Sequence, residues 1–192
     1  MEYDYGSPPV SNYTYRNFIQ HLAPALPKND KVFYHRESLQ WRNNLNKIPL
    51  DLFRNICHWK SRRRFEKVLK NKDRKVNAQW SSALQQLNQS EFSDEGIDAA
   101  LKLLVELDGV AVPTASALLT AWKPEQFGII DFRVRHVLDM PNNTSYVVFR
   151  SKLLQLQQEL QLDNCNLRQI EMALWHYYPI KMEGKNSRRG IV

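Results

Sequence analysis

The chain has 192 residues, a formal net charge of +7 and a pI of about 9.4, enough for one large domain or two small helical lobes with a real core. Its two cysteines, Cys57 and Cys165, lie far apart, which excludes a disulfide framework and a four-cysteine metal or iron–sulfur site. No basic start followed by an apolar run opens the sequence, and no stretch is apolar for long enough to span a bilayer. Neither a signal peptide nor a membrane contact is therefore expected, and the composition fits an intracellular protein, nuclear in a eukaryote or cytoplasmic in a bacterium.

Residues 1–30 are rich in Tyr, Asn, Pro and Ser. Pro8, Pro9, Pro24 and Pro27 break any long element, so this stretch reads as an extended or partly disordered arm with at most a short helix near 18–22. From there on helical signals follow one another, over 38–45, 50–60, 62–71, 75–87 and 94–107, then 114–122, 132–138, 145–160 and 166–177. Pro49 precedes the second of these, and Ser93 is placed to cap the fifth, with Glu95 and Asp98 suiting the positive end of its dipole. No stretch alternates as a strand set does. The fold class is read as all-α, with a helical domain over 31–182 and a disordered tail over 183–192.

Charge is concentrated. Between Arg54 and Lys75 stand ten Lys or Arg residues against Glu66 and Asp73, a net +8, so the rest of the chain sums to −1. Trp59, Phe65, Val68 and Leu69 are interleaved with them, as in a helix with one buried and one basic face. Lys60, Arg62, Arg63 and Arg64 are accordingly candidate phosphate contacts, the other reading being an ordinary solvated face.

Residues 104–138, LVELDGVAVPTASALLTAWKPEQFGIIDFRVRHVL, carry the most information. An apolar helix ends at Leu107, a turn containing Gly109 follows, and Val112-Pro113 opens a second helix, proline suiting a first turn. Such a hairpin aims backbone N–H groups of Gly109, Val110, Ala111, Val112 and Thr114 outward, a phosphate-binding geometry that reads no base. A simple αα-hairpin in a helical core has the same composition.

The run Leu107-Asp108-Gly109-Val110-Ala111-Val112-Pro113-Thr114-Ala115 resembles the hairpin LPGVGxxTA of the helix-hairpin-helix DNA glycosylase superfamily, the group of endonuclease III and adenine glycosylase. Downstream, Phe127 to Val137 resembles that family's loop xxxVDTHVxRV, with Asp131 at its essential aspartate and no gap needed from Pro113. Near the C-terminus, Ile170 to Trp175 resembles the closing helix of some relatives. The resemblance implies two helical lobes flanking a cleft, the hairpin lobe running from about 97 to 155, with duplex DNA as partner to a monomer. It also implies a monofunctional glycosylase of base-excision repair, in which Asp131 assists water attack on a sugar that gains positive charge as its base departs. Trp59, Trp122, Phe132, Arg133 and Trp175 are the candidates for the pocket that takes the flipped base.

Three departures bear on mechanism. Pro113 stands where strand-cleaving relatives carry a lysine, so no imine can form at that position, and Lys123, the nearest downstream lysine, has no motif placing it in the cleft. An intact abasic strand is the expected product. Ala111 replaces the second hairpin glycine. The iron–sulfur cysteines of endonuclease III are missing, so no cofactor is expected, although a monovalent cation at the hairpin is compatible with the resemblance. The five histidines show no ligand spacing. Two further readings stand beside the glycosylase: a non-catalytic DNA-binding relative that keeps the fold, and a helical protein-interaction module.

Overall fold

The computed structural model describes residues 15–27 and 47–189. The helix expected over 38–45, and the outermost parts of the arm and tail, lie outside the described residues. Among the described residues the regular structure is helical throughout.

The helices of the middle of the chain follow from their apolar spacing. Pro49 opens α2 (Leu50–Lys60), which buries Phe53, Ile56 and Cys57, and Ser61 at φ −150° and ψ 77° ends it. In α4 (Asp73–Gln89) Val76, Trp80, Ala83, Leu84 and Leu87 fall on one face, and in α5 (Asp94–Val105) Ile97, Ala100, Leu101 and Leu104 do the same. These two faces meet, and Ser93 caps α5 by accepting the Gly96 N–H at 3.2 Å. Helix α6 (Val112–Trp122) is buried from Thr114 to Trp122 and is the central element, packed against α2 and α5.

Gly109, in the turn between α5 and α6, has φ +78°, and a Cβ there would sit 2.8 Å from the Arg64 carbonyl oxygen and 2.9 Å from the Val68 nitrogen. Glycine is therefore required both by the dihedral and by the closeness of the basic segment. That segment is not the single helix expected over 62–71. It consists of a 3₁₀ turn (Arg62–Arg64) and a short α3 (Phe65–Val68). The buried Asn71 side chain donates to the Val68 and Asp108 carbonyls and accepts the Asp108 N–H, each at 2.9 Å, drawing the chain out of helix and tying it to the α5–α6 turn.

The second group of helices gathers on α9 (Leu167–Arg189). Onto it pack α7 (Phe132–Val137), α8 (Tyr146–Glu159), and α1 (Tyr15–Leu22) with the 3₁₀ turn Ala23–Ala25. The arm expected over 1–30 is thus docked from Tyr15 onward: Ile19 and Ala23 are fully buried, and the buried Gln169 amide donates to the Ala23 and Leu26 carbonyls at 3.2 and 2.6 Å. The tail expected to be disordered over 183–192 is helical as far as Arg189, with Pro179 inside the helix. Contacts on both sides of that proline carry the helix past it. Tyr177 packs its ring at a tilt against those of Phe18 and Tyr15, while Lys181 Nζ donates to the His136 and Val137 carbonyls at 3.0 Å, capping the end of α7. No described helix is long and apolar enough to cross a membrane.

Candidate active site

The segment entering α7 is extended and held by side chains from three helices. Tyr146 Oη donates to the Gly128 carbonyl at 2.9 Å, the Glu171 carboxylate accepts the Ile129 N–H at 3.4 Å, and Ser116 Oγ accepts the Ile130 N–H at 3.2 Å. Buried amides that would otherwise be orphaned are paired this way, which fixes the path of the chain into Asp131. Asp131 is the N-cap of α7: its Oδ1 accepts the Arg133 N–H at 3.0 Å. Capping does not exhaust it, because Oδ2 accepts a hydrogen bond from Lys60 Nζ at 2.7 Å.

Successive residues of an extended chain point to opposite sides, and here the two sides are two cavities. Ile130 lines one, of about 590 Å³, with Val112, Pro113 and Arg135. Asp131 lines the other, of about 540 Å³, whose walls come from the end of α2 (Trp59, Lys60), the start of α7 (Phe132, Arg133) and one face of α9. Trp59, Phe132 and Trp175 are 39%, 55% and 38% exposed, so aromatic surface faces solvent at this cavity. The Arg133 guanidinium lies 4.6 Å from the Trp175 ring centroid, and that of Arg168 lies 5.9 Å from Trp59.

Charges within the cavity alternate. Burial by itself would raise the Asp131 carboxyl, but the Lys60 ammonium, by charge and hydrogen bond, and the Arg133 N–H outweigh it and hold the group below its ordinary range. Deeper in, Glu171 is fully buried and paired with Arg168; burial pushes its carboxyl above the ordinary range against the pull of Arg168 and Lys60. Asp131 is therefore ionised at neutral pH beside an ammonium, in a partly dry site. Among the described residues no three of His, Cys, Asp and Glu converge as metal ligands would. Burial pushes the Cys57 thiol up to about 12, which leaves it inert at neutral pH.

The structure thus brings Asp131, Trp59, Phe132, Arg133 and Trp175 around one cavity and corrects four other assignments. Trp122 is not a pocket residue: it is 6% exposed and packs in the core with Trp80, Phe92 and Phe127, at ring-centroid distances of 6.2 to 6.4 Å, because α6 is buried all round from Thr114 onward. Lys60 leaves the basic face: as the last residue of α2 it reaches Asp131 in the cavity, while Arg62, Arg63 and Arg64, beyond the break at Ser61, stay exposed. Val110 and Thr114 are buried, and their N–H groups bond the Leu107 and Ala111 carbonyls at 3.1 and 2.8 Å, so neither faces a phosphate. Gly109, Ala111 and Val112 remain at the α6 start, which no side chain caps. Through Asn71 and Gly109 the turn before this start lies against the backbone of the segment that carries the arginines. Arg168, Glu171, Met172 and His176 were not anticipated from the sequence. Their signal was a charged pair on the same face of the closing helix as Trp175, at spacings of three and four residues.

No protein-family model, curated protein or solved structure matches the chain. The functional reading accordingly stands on the geometry of this site together with the resemblance of residues 104–138.

Proposed function

We propose that the protein is a helix-hairpin-helix DNA glycosylase that removes a modified or mismatched base from duplex DNA, with Asp131 assisting water attack at the sugar. The observation that carries the reading is the cavity opening onto the Asp131 carboxylate. Its volume of about 540 Å³ lies within the range of small-molecule sites, roughly 300–1,000 Å³, and it offers a flipped base both aromatic faces and hydrogen-bonding groups. An ionised carboxylate at its wall stabilises positive charge as the glycosidic bond lengthens, and orients the water that replaces the base. DNA lies across the cleft between two helical lobes, its backbone on Arg62, Arg63 and Arg64 and on the amides at the start of α6. These groups read phosphate and not sequence.

The second reading, a non-catalytic DNA-binding relative, is favoured by one observation: Lys60 already neutralises Asp131. A panel of duplexes, each with one modified or mismatched base, separates the two. The glycosylase reading expects alkali-revealed strand breaks at the altered base of at least one duplex. Binding to all of them with release from none would leave the non-catalytic reading standing.

A further inference from the structure

The same ion pair points to a second chemistry. Proline at 113 withholds an amine from the position where strand-cleaving relatives carry one, and Pro113 lines a different cavity from Asp131. An amine is nevertheless present. Lys60, the last residue of α2, places its Nζ 2.7 Å from Asp131 Oδ2, in the cavity assigned to the extruded nucleotide. Its side chain is only 13% exposed. The cations that share this cavity are engaged elsewhere, Arg133 over Trp175 and Arg168 with Glu171, and a guanidinium does not form imines under these conditions. Among the described residues Lys60 is therefore the primary amine that shares a wall with the carboxylate.

We propose that Lys60 forms an imine with the abasic sugar at this site and so gives the protein a strand-cleaving lyase activity on abasic DNA. The inference rests on the reading above in placing the sugar beside Asp131. In the ring-opened sugar C1′ is an aldehyde. Lys60 loses a proton to water by way of Asp131, in a small fraction of molecules at any moment because the ion pair favours the ammonium, and the freed amine adds to C1′. Two protons, one relayed by Asp131, leave with the aldehyde oxygen as water, and a protonated imine remains. That imine acidifies C2′; the ionised Asp131 takes the C2′ proton, the C3′–O bond breaks, and the 3′ phosphate leaves carrying the bonding pair. Water then hydrolyses the imine, releasing the unsaturated aldehyde and restoring Lys60. No metal, oxidant or reductant takes part.

The test uses the full chain and a duplex carrying one preformed abasic site, made by removing uracil enzymatically, so that it does not depend on which base the protein releases. Incubation with borohydride should give a covalent protein–DNA adduct on a denaturing gel, and mass mapping should place the modification on Lys60. Lys60→Arg keeps the positive charge facing Asp131 and Lys60→Met removes it; both should abolish the adduct while circular dichroism and duplex binding persist. A purely structural lysine predicts instead that Lys60→Arg traps as well as the wild type. An adduct that persists in both variants, or maps to another residue, overturns the proposal, as does a bound abasic duplex that is never trapped. If base release is found and trapping is not, only the lyase inference fails. If the abasic duplex is not bound at all, the glycosylase reading fails with it.

Discussion

Replacing Lys60 with Met tests how the site is held together. The substitution keeps most of the alkyl stem but strips the ammonium from an ion pair at 2.7 Å whose side chains are 13% and 17% exposed. Fully exposed pairs contribute about 0.2–1 kcal/mol, while removing one partner of a buried pair costs about 3–5 kcal/mol. This pair opens onto a cavity and Asp131 keeps the Arg133 N–H, so a loss of roughly 2 kcal/mol at pH 7 is expected, or about 4–8 °C in Tm for a chain of this length. The pH dependence adds a sign. In the wild type the Asp131 carboxyl is held below its unfolded value, so the contribution of the pair is present above about pH 4 and is lost as pH falls through the lower folded value. In Lys60→Met burial acts without its main opponent, the carboxyl rises, and protonation relieves the variant. The Tm gap between the two proteins should therefore narrow from pH 7 to about pH 3. A double-mutant cycle with Asp131→Asn should give a coupling above roughly 1 kcal/mol at pH 7. A gap that stays constant with pH, or a coupling near zero, would refute the reasoning.

Other outcomes follow from particular side chains. Changing Arg62, Arg63 and Arg64 to Ala should lower the slope of log affinity against log salt for duplex DNA by up to about 2.7, at about 0.9 for each phosphate that is no longer neutralised; an unchanged slope assigns these arginines to solvent. Gly109→Ala should cost roughly 3 kcal/mol in urea denaturation, because a left-handed dihedral and a backbone clash with the basic segment act together. Trp122→Ala should cost about 3–5 kcal/mol as a core deletion, whereas Trp175→Ala should cost less than about 1 kcal/mol yet weaken base release; equal losses of stability would contradict the separation of core from cavity.

The helices with strong one-sided apolar spacing were legible in the sequence. The expected 50–60 is the observed Leu50–Lys60, and the expected 94–107 and 145–160 differ from Asp94–Val105 and Tyr146–Glu159 by one or two residues. Departures came where tertiary contacts override local preference. Asn71 breaks the basic segment by bonding a turn 37 residues away, and Lys181 and Tyr177 carry α9 past Pro179. At the site, the motif singles out Asp131, whereas the aromatic candidates were chosen by residue type, which took in the core residue Trp122 along with Trp59 and Trp175. Lys60 could be counted as a positive charge, but its place beside Asp131 depends on how the end of α2 packs against a segment 71 residues away, which no composition reveals. Trp122 and Trp175 look alike as sequence; only the all-round burial of α6 from Thr114 onward and the exposed face of α9 tell them apart.

The central claim is that Asp131 acts in base removal beyond capping α7. It is tested most directly by single-turnover base release, wild type against Asp131→Asn, on whichever modified duplex proves to be a substrate. The amide keeps the shape and an oxygen to accept the Arg133 N–H but loses the charge, so folding and duplex binding should persist. Release should slow by a factor of about thirty or more, some 2 kcal/mol of transition-state stabilisation. An unchanged rate of release from a duplex bound equally well would confine Asp131 to the helix cap and contradict the account.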